Sequence, residues 1–383
     1  MTSPITSAAR VAAPLDGRVA ALGAGFAAQV VAWQRSHGRH DLPWQVRDPY
    51  RVWLSEIMLQ QTQVATVLGY YGRFLQRFPD VATLAAAPLD EVLAAWAGLG
   101  YYSRARNLHR CAQVVMAEHA GRFPATAPAL AELPGIGPST AAAIAAFCFD
   151  ERAAILDGNV KRVLARVLGH AGDLADKRQE RALWQAAQDL LPPAAADMPA
   201  YTQGLMDLGA TVCTTRRPAC VVCPLSDLCI AAREGQPLAY PVKSRRLVRG
   251  ARESWWLWLE HEGRIWLEQR PPSGVWAGLW SLPVFDSEAA LRHALAQAGL
   301  RDPAVEPQPL VQHALTHFDW TLHPQRLVLA RDDQAAAWTD RHLGGASTGS
   351  TATLVSEPTS GRWVARGELA AYGLPAPLKK LLG

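Results

Sequence analysis

The sequence predicts a chain of several domains, in which an all-α region is followed by a smaller α+β domain. Its 383 residues are more than one ordinary hydrophobic core organises. From residue 26 to about residue 233, apolar residues recur every three or four positions between Pro and Gly breaks, which predicts helices. Beyond residue 250, Trp-rich runs at 255–260 and 264–269 flank the turn at 261–263, which predicts a β-hairpin.

Changes in composition divide the chain into parts. The predicted parts are a disordered tail at 1–20, a helical domain at 21–232, a basic linker at 233–250 and a C-terminal domain at 251–383. The helical domain is predicted to have two parts, one at about 48–150 and the other formed by 21–47 and 151–232. Within the C-terminal domain the pattern predicts a helix at 287–299, a strand at 326–330 and a mobile Gly- and Ser-rich loop at 344–360.

The overall composition excludes some classes of protein. Hydrophobic residues make up 49% and charged residues 19%, which is typical of globular domains and not of disordered chains. A net charge of +4 permits nucleic-acid binding without requiring it. No apolar run approaches the ~20 residues of a membrane span, and the N-terminal segment lacks a secretion signal. We therefore expect a cytoplasmic monomer that does not associate with membranes.

Four of the six cysteines fall within 17 residues, which favours a metal site. Cys213, Cys220, Cys223 and Cys229 have the spacing C-x6-C-x2-C-x5-C. Disulfides are rare in the reducing compartment that a chain without a secretion signal occupies. Zinc and a [4Fe–4S] cluster both accept four cysteines, and general chemistry alone puts zinc first.

The segment Leu133–Gly137 predicts a tight turn between two helices. Gly135 and Gly137 permit such a turn and the close approach of another backbone. Pro138 suits the first turn of the following helix, whose free N–H groups can bind a phosphate. The alternative is an ordinary corner between helices that binds nothing.

Two carboxylates are candidates for chemistry. Glu56 is predicted to share a helix with Gln60 and Gln63, at i, i+4 and i+7, forming a polar face that contacts a base edge or is simply solvated. Asp157 precedes a helical pattern and stands where an N-cap residue belongs. Hydrogen bonds from the helix N–H groups are expected to keep its pKa low and its carboxylate ionised.

Together these motifs resemble the helix-hairpin-helix DNA glycosylases, and among them the adenine DNA glycosylase (MutY) family. The resembling segments are Leu42–Trp44, Ser55–Val64, Gly98–Tyr102, Leu133–Gly137, Leu156–Arg162 and the cysteine loop. The resemblance implies a helix-hairpin-helix glycosylase fold and a [4Fe–4S] cluster on the four cysteines, which reverses the preference for zinc. It also implies double-stranded DNA as the partner, with adenine mispaired with 8-oxoguanine or guanine as the substrate.

The resemblance assigns catalytic roles as well. Glu56 would protonate N7 of a flipped adenine, and Asp157 would stabilise the oxocarbenium ion that forms as the glycosidic bond breaks. Asn159 would orient a carboxylate or the water. Endonuclease III relatives carry a Schiff-base lysine at the position of Ser139, and a serine cannot form an imine, so a monofunctional glycosylase is implied.

Other residues match positions at which the family contacts DNA. The adenine-pocket positions are Arg39, Trp44 and Gln203, whereas Gln45 stands where relatives carry Arg. The wedge that fills the gap opposite the flipped base matches Gln61, Thr62, Leu99 and Tyr101. The cations that follow the wedge, predicted to contact phosphates or to form a solvated face, are Arg104, Arg106, His109 and Arg110.

The C-terminal domain resembles the Nudix-like recognition domain of the same family. Residues 270–280 match its opening loop, and the matching helix at 291–297 has no glutamate to hold Mg²⁺, so the domain is expected to bind and not to hydrolyse. Thr316 and His317 match the loop that contacts 8-oxoguanine, although Leu315 replaces the phenylalanine that is common there.

Three other functions are open at this point. A bifunctional endonuclease III-like enzyme acting on damaged pyrimidines is opposed by Ser139. A DNA-binding module without activity is opposed by the presence of both Glu56 and Asp157. A Nudix hydrolase is opposed by the missing glutamates.

Overall fold

The computed structural model describes residues 15–244, 248–300, 303–344 and 360–383, and within these ranges every strand lies beyond residue 249, as predicted. The helices of the N-terminal part are α1 (Leu15–His37), α2 (Pro49–Leu59), α3 (Val64–Arg77), α4 (Val81–Ala86), α5 (Leu89–Trp96), α6 (Ser103–Glu118), α7 (Ala127–Ala131), α8 (Pro138–Phe149), α9 (Gly158–Val167), α10 (Lys177–Asp189), α11 (Met198–Asp207) and α12 (Ile230–Arg233). A π turn at Leu208–Val212 follows α11 directly.

The later elements alternate between strands and helices. They are β1 (Gly250–His261), β2 (Arg264–Gln269), β3 (Trp280–Ser281), β4 (Val284–Phe285), α13 (Glu288–Gln297), β5 (Glu306–Pro307), β6 (Val311–Ala314), β7 (Phe318–Val328), α14 (Asp332–Gly344), β8 (Gly361–Ala365) and α15 (Ala376–Leu382). Contacts divide the chain into two units, each made of two segments. The helical unit is Met1–Gln61 with Val114–Arg246, and the mixed unit is Thr62–Gln113 with Leu247–Gly383.

The core of the helical unit is formed by α1 and α8–α11. The buried positions of α9 include Val160, Val163, Leu164 and Val167, spaced by three or four residues as an amphipathic helix requires. Helix α8 is apolar on almost every side, and its run of buried alanines lets α2 and α11 pack closely against it. This packing places the ends of α2 and α9, which carry the two candidate carboxylates, in the same unit.

The prediction of a disordered tail at residues 1–20 is wrong for residues 15–20, because α1 begins at Leu15. Val19 is buried, and the Arg18 guanidinium donates to the carbonyl oxygens of Leu168 at 2.6 Å and Gly169 at 2.7 Å. These contacts fix the first turns of α1 to the C-terminal end of α9. Residues 1–14 lie outside the described part of the chain.

The prediction of one helix carrying Glu56, Gln60 and Gln63 is also wrong. Helix α2 ends at Leu59, and Gln61 has a φ of 57°, in the left-handed region that interrupts a helix. Gln63 is the N-cap residue of the separate helix α3. The three polar side chains therefore do not form a single helical face.

The mixed unit contains one eight-stranded sheet in which β1 is central. Strand β1 pairs with β2 and β4 in antiparallel fashion and with β7 in parallel, from Gly250 opposite Phe318 to Glu260 opposite Val328. The predicted hairpin of β1 and β2 is confirmed. Its turn residues Glu262 and Gly263 have φ values of 48° and 72°, and two positive φ values match the twist of the flanking strands.

Helices α13 and α14 cover one part of this sheet around buried Trp266 and Trp338. The predicted helix at 287–299 is confirmed as α13, which Ser287 caps by accepting the N–H of Ala290 at 3.1 Å. The strand predicted at 326–330 is instead β7, which begins eight residues earlier and ends at Val328. Its inward positions include Pro324, a residue that argues against a strand when only the sequence is read.

Most of the predicted mobile loop at 344–360 lies outside the described residues. Among the helices of the described ranges, none combines the length and apolar character that crossing a membrane requires.

Candidate functional site

The hairpin between α7 and α8 has the geometry that its glycines predict. The N–H of Ile136 donates to the Leu133 carbonyl oxygen at 3.1 Å, and Gly135 has a φ of 78°. Gly137 is the N-cap residue of α8, and Pro138 is its first residue. Among the described residues, none comes within 4 Å of the place that a Gly137 Cβ would take, so this edge of the hairpin is open to another backbone.

Glu56 lies near the C-terminal end of α2, where its neighbours Ser55 and Ile57 are buried. Burial in this helix, followed by the negative charge of Asp157, raises the pKa of the Glu56 carboxyl to about 8. A carboxyl group with this pKa holds its proton at neutral pH and can donate it, as a general acid must.

Asp157 is the N-cap residue of α9, as predicted, and its Oδ1 accepts the N–H of Val160 at 2.8 Å. The prediction that these helix N–H groups keep its pKa low is wrong. Burial raises the pKa of Asp157 above its ordinary value, and it outweighs the hydrogen bonds from the backbone of Val160 and Asn159 and the charge of Arg162. The N-cap hydrogen bond nevertheless fixes the direction of the carboxylate.

Ser139, in the first turn of α8, contacts the segment that leads into Asp157. Its Oγ accepts the N–H of Leu156 at 3.0 Å. The hydroxyl at the position of the lysine in the endonuclease III relatives therefore supports the backbone next to Asp157.

Asn159 follows Asp157 and contacts the segment before the cysteine loop. Its Oδ1 accepts from Arg162 Nη2 at 2.9 Å, and the same guanidinium donates to the carbonyl oxygens of Gly209 at 2.5 Å and Cys213 at 2.8 Å. Arg162 thus ties the first turn of α9 to the π turn and to the first cysteine of the loop.

The predicted adenine-pocket residues Arg39 and Gln203 meet at a residue that the sequence did not single out. Asp207 is only 1% exposed and accepts from the Arg39 backbone N at 2.9 Å, from Arg39 Nε at 2.7 Å and from Gln203 Nε2 at 2.8 Å. Gln45 supports the same segment, because its Nε2 donates to the Arg39 carbonyl oxygen at 2.7 Å. Trp44 is buried in this unit.

The four cysteines of the loop line one cavity, and none of the six cysteines, all within the described ranges, forms a disulfide. Apolar residues such as Val163 and Leu225 close the cavity, and Arg166 Nη1 lies 3.2 Å from Cys213 Sγ. Burial, followed by repulsion from the neighbouring thiolates, raises the pKa of Cys223 to about 11, and it outweighs a hydrogen bond from the Leu225 backbone that lowers this pKa. A soft cation or a cluster of iron and sulfur supplies the positive charge that such a donor set needs, so the residues fit either.

The wedge residues of the mixed unit lie beside the predicted recognition loop. Tyr101 is 45% exposed with a φ of 48°, and its hydroxyl lies 3.0 Å from Thr316 Oγ1. Leu99 is buried, and Thr62 Oγ1 accepts from Arg104 Nη2 at 3.1 Å. Gln61 is exposed but belongs to the helical unit.

A pocket of the mixed unit is lined by Tyr101, Trp276, His313 and Thr316, among others. Thr316 and His317 form the tip of the turn between β6 and β7, and both are exposed. Within this pocket the Trp276 ring lies 5.5 Å from the His313 ring, between centroids. The lining of this pocket therefore contains both hydroxyl groups and aromatic rings.

Most of the cations after the wedge do not form a solvated face. Arg104 is buried, donates to the carbonyl oxygens of Leu99 and Gly100, and has a pKa lowered to about 10 by burial. Arg106 Nη1 donates to the Ala277 carbonyl oxygen at 2.5 Å, and the buried His109 contacts Ala87. Arg110 is the exposed member of the four and the one free to meet a phosphate.

The helix that would hold Mg²⁺ in a Nudix hydrolase is α13. Its single carboxylate, Glu288, accepts from Arg292 Nε at 3.0 Å and Nη2 at 2.8 Å. One exposed, ion-paired carboxylate does not provide the oxygen ligands of a Mg²⁺ site.

The chain matches the model of the HhH-GPD superfamily of base excision DNA repair proteins over residues 54–189, and that of the NUDIX domain over residues 254–383. Both matches confirm the predicted fold class. Solved structures that match this chain include a thermostable thymine-DNA glycosylase, with 28% identity and a TM-score of 0.49 over 57% of this chain and 98% of that one. A complex of endonuclease III with DNA has 21% identity and a TM-score of 0.46, over 55% and 94%.

Curated relatives are closer in sequence. The adenine DNA glycosylase of Buchnera aphidicola from Acyrthosiphon pisum is 36% identical over 78% of this chain and 85% of its own length. The adenine DNA glycosylase of Homo sapiens is 34% identical over 93% of this chain and 73% of its own length. The chain therefore belongs to the adenine DNA glycosylases, a family of base-excision DNA repair enzymes.

Proposed function

We propose that the chain releases adenine from double-stranded DNA where it is mispaired with 8-oxoguanine or guanine, and that it does so as a monofunctional glycosylase. The observation that supports this best is the raised pKa of Glu56, at about 8, next to a second carboxylate. A protonated acid beside an anion is the pair that cleavage of an N-glycosidic bond requires.

In the proposed reaction Glu56 donates its proton to N7 of the flipped adenine. The C1′–N9 bond then breaks, its electron pair leaves with the base, and a positive oxocarbenium ion is left on the sugar. The Asp157 carboxylate stabilises this cation, and Asn159 orients the attacking water or a carboxylate. Water adds to C1′ and returns a proton to Glu56, which restores the acid.

The absence of a strand-cleaving step rests on Ser139. A hydroxyl cannot form an imine with the sugar, and this one already accepts the N–H of Leu156. The product is therefore an intact strand with an abasic site.

The four cysteines are proposed to hold a [4Fe–4S] cluster. When bound, the cluster pins the loop and contributes no step to the reaction. The exposed Arg216 and Arg217 lie within this loop, where they are placed to contact DNA phosphates.

Selectivity for the oxidised base is proposed to come from the mixed unit. The hydroxyl groups of Tyr101 and Thr316 lie 3.0 Å apart in a pocket that also contains aromatic rings. An aromatic ring at the tip of a wedge offsets part of the cost of unstacking bases, and hydroxyl groups can read the polar edge of a base. His317 stands beside Thr316 on the same turn and is proposed to contact the DNA.

The test is adenine release from duplexes with a single 8-oxoguanine·adenine or guanine·adenine pair, followed with and without hot alkali. We expect release by the wild type, strand breaks only after alkali, and no release by Glu56→Gln. Glu118→Gln, an exposed acid in α6, is the control that should match the wild type. Strand breaks without alkali would overturn the monofunctional assignment, and full activity of Glu56→Gln would overturn the role of the acid.

A further inference from the structure

The π turn at Leu208–Val212 has no role in the mechanism above. The Cys213 N–H donates to the Leu208 carbonyl oxygen at 2.6 Å, a bond that spans five residues where an α-helix spans four. Such turns are rare, insert one residue into a helix, and are frequent at functional sites. This one begins after Asp207 and ends before the first cysteine of the loop.

Gly209, in the π turn, packs directly against the catalytic segment Asp157–Asn159. A Cβ added at Gly209 would lie 2.5 Å from Asn159 Cβ and 3.1 Å from Asn159 Cα. The nearest atoms belong to the backbone and the base of a side chain, so they cannot swing aside. The Gly209 carbonyl oxygen also accepts from Arg162, which bonds to Asn159 Oδ1 as well.

We infer that the π turn positions the Asp157–Asn159 segment for the reaction, and that Gly209 is a positioning residue which only glycine can supply. The extra residue of the turn brings the backbone of Gly209 against Asn159, and this contact sets where the first turn of α9 begins. Asp157 caps that turn through Val160, so a displaced Asn159 moves the carboxylate with it. The inference rests on the proposed role of Asp157.

A displaced Asp157 has a measurable effect on Glu56. The charge of Asp157 is one of two causes that raise the pKa of Glu56, so moving the carboxylate away lowers that pKa. Lys161 and Arg162 act on Asp157, and Cys148, whose pKa burial raises to about 12, is the other titratable neighbour of Glu56. The alkaline limb of the pH–rate profile should therefore move to lower pH.

The experiment compares Gly209→Ala with the wild type in three measurements. These are the single-turnover rate of adenine release across pH, the Kd for a duplex that carries 8-oxoguanine opposite an abasic analogue, and the visible absorbance of the bound cluster. The control is Gly25→Ala in α1, where an added Cβ meets no described atom within 4 Å.

For Gly209→Ala we expect a rate about a hundredfold lower, because a misplacement near 1 Å has an effect of this order. We also expect an alkaline limb at lower pH, an unchanged Kd and unchanged cluster absorbance. Gly25→Ala should match the wild type. A wild type that releases no adenine overturns the proposed function, whereas an active wild type and an equally fast Gly209→Ala overturn only this inference.

A second variant keeps the test decisive if Gly209→Ala does not fold. Thr211 Oγ1 donates to the Asp207 carbonyl oxygen at 2.8 Å and so links the π turn to the last residue of α11. Thr211→Val keeps the shape and loses this bond, and we expect a rate lower by about threefold to tenfold with unchanged Kd. A wild-type rate for Thr211→Val in that case overturns the inference.

Discussion

Glu56 is expected to make the stability of the protein depend on pH, and the variant Glu56→Gln removes that dependence. The folded state raises the pKa of this carboxyl from its ordinary value of 4.5 to about 8, mainly by burial. The folded protein holds this proton more tightly than the unfolded chain does. Below pH 4.5 the carboxyl is protonated in both states, so Glu56 does not lower the free energy of unfolding there. Its destabilising effect grows as the pH rises and becomes complete above pH 8.

The size of the effect follows from the two pKa values. Each pKa unit between the folded and unfolded states corresponds to 1.36 kcal/mol, so the interval from 4.5 to about 8 corresponds to about 5 kcal/mol at full ionisation. About 3 kcal/mol of this is present at pH 7 and about 1 kcal/mol at pH 5.5. Glutamine has nearly the same shape and no charge. The free energy of unfolding of Glu56→Gln, relative to that of the wild type, should therefore rise by these amounts as the pH increases.

The assay is urea unfolding of both proteins, free of DNA, at pH 5.5, 7 and 8.5. The difference in free energy of unfolding should increase by about 1 kcal/mol per pH unit up to pH 8. Glu118→Gln, which changes an exposed glutamate in α6, should show no such trend. A constant difference between wild type and Glu56→Gln across this range would refute the reasoning, since it would show that Glu56 is not held as a neutral acid.

Three further outcomes are expected. Tyr101→Phe loses the hydroxyl that lies 3.0 Å from Thr316 Oγ1, and the ratio of excision rates opposite 8-oxoguanine and guanine should fall by about threefold; an unchanged ratio would argue against this contact. Ser139→Ala leaves the N–H of Leu156 without its acceptor and should lower the free energy of unfolding by about 1–3 kcal/mol in urea, while Ser139→Thr should restore most of it. Gly135→Ala places a side chain at a φ of 78°, which should lower stability by about 1–2 kcal/mol and weaken DNA binding in a fluorescence titration, and equal affinity would show that the hairpin does not contact DNA.

Features that follow local rules were predictable from the sequence. Asp157 before an amphipathic pattern predicted an N-cap, and its hydrogen bond to Val160 confirms it. The turn at Glu262 and Gly263 was signalled by the runs of strand-forming residues on both sides. The cysteine spacing brought four thiols to one cavity, as predicted.

Features that depend on the tertiary environment were not predictable in this way. Asp207 belongs to no motif. Gln203 lies one turn before it on α11, whereas Arg39 is far away in sequence and reaches Asp207 only after folding. The pKa of Asp157 was predicted in the wrong direction because its hydrogen bonds are local and its burial is not. Arg104 has the charge of a phosphate ligand, yet packing turns it toward backbone carbonyl oxygens.

The interleaving of the two units has a consequence for how the chain is made. Residues 62–113 complete their unit only with residues 247–383, which leave the ribosome after both segments of the helical unit. Contacts between segments so far apart in sequence form late, because a long loop must close first. Helices α3, α4 and α5 therefore lack the later segment of their unit while the helical unit is being formed. In a nascent chain that stops before residue 247, helices α3, α4 and α5 lack the segment that completes their unit. We expect such a chain to be a substrate for chaperones and proteases.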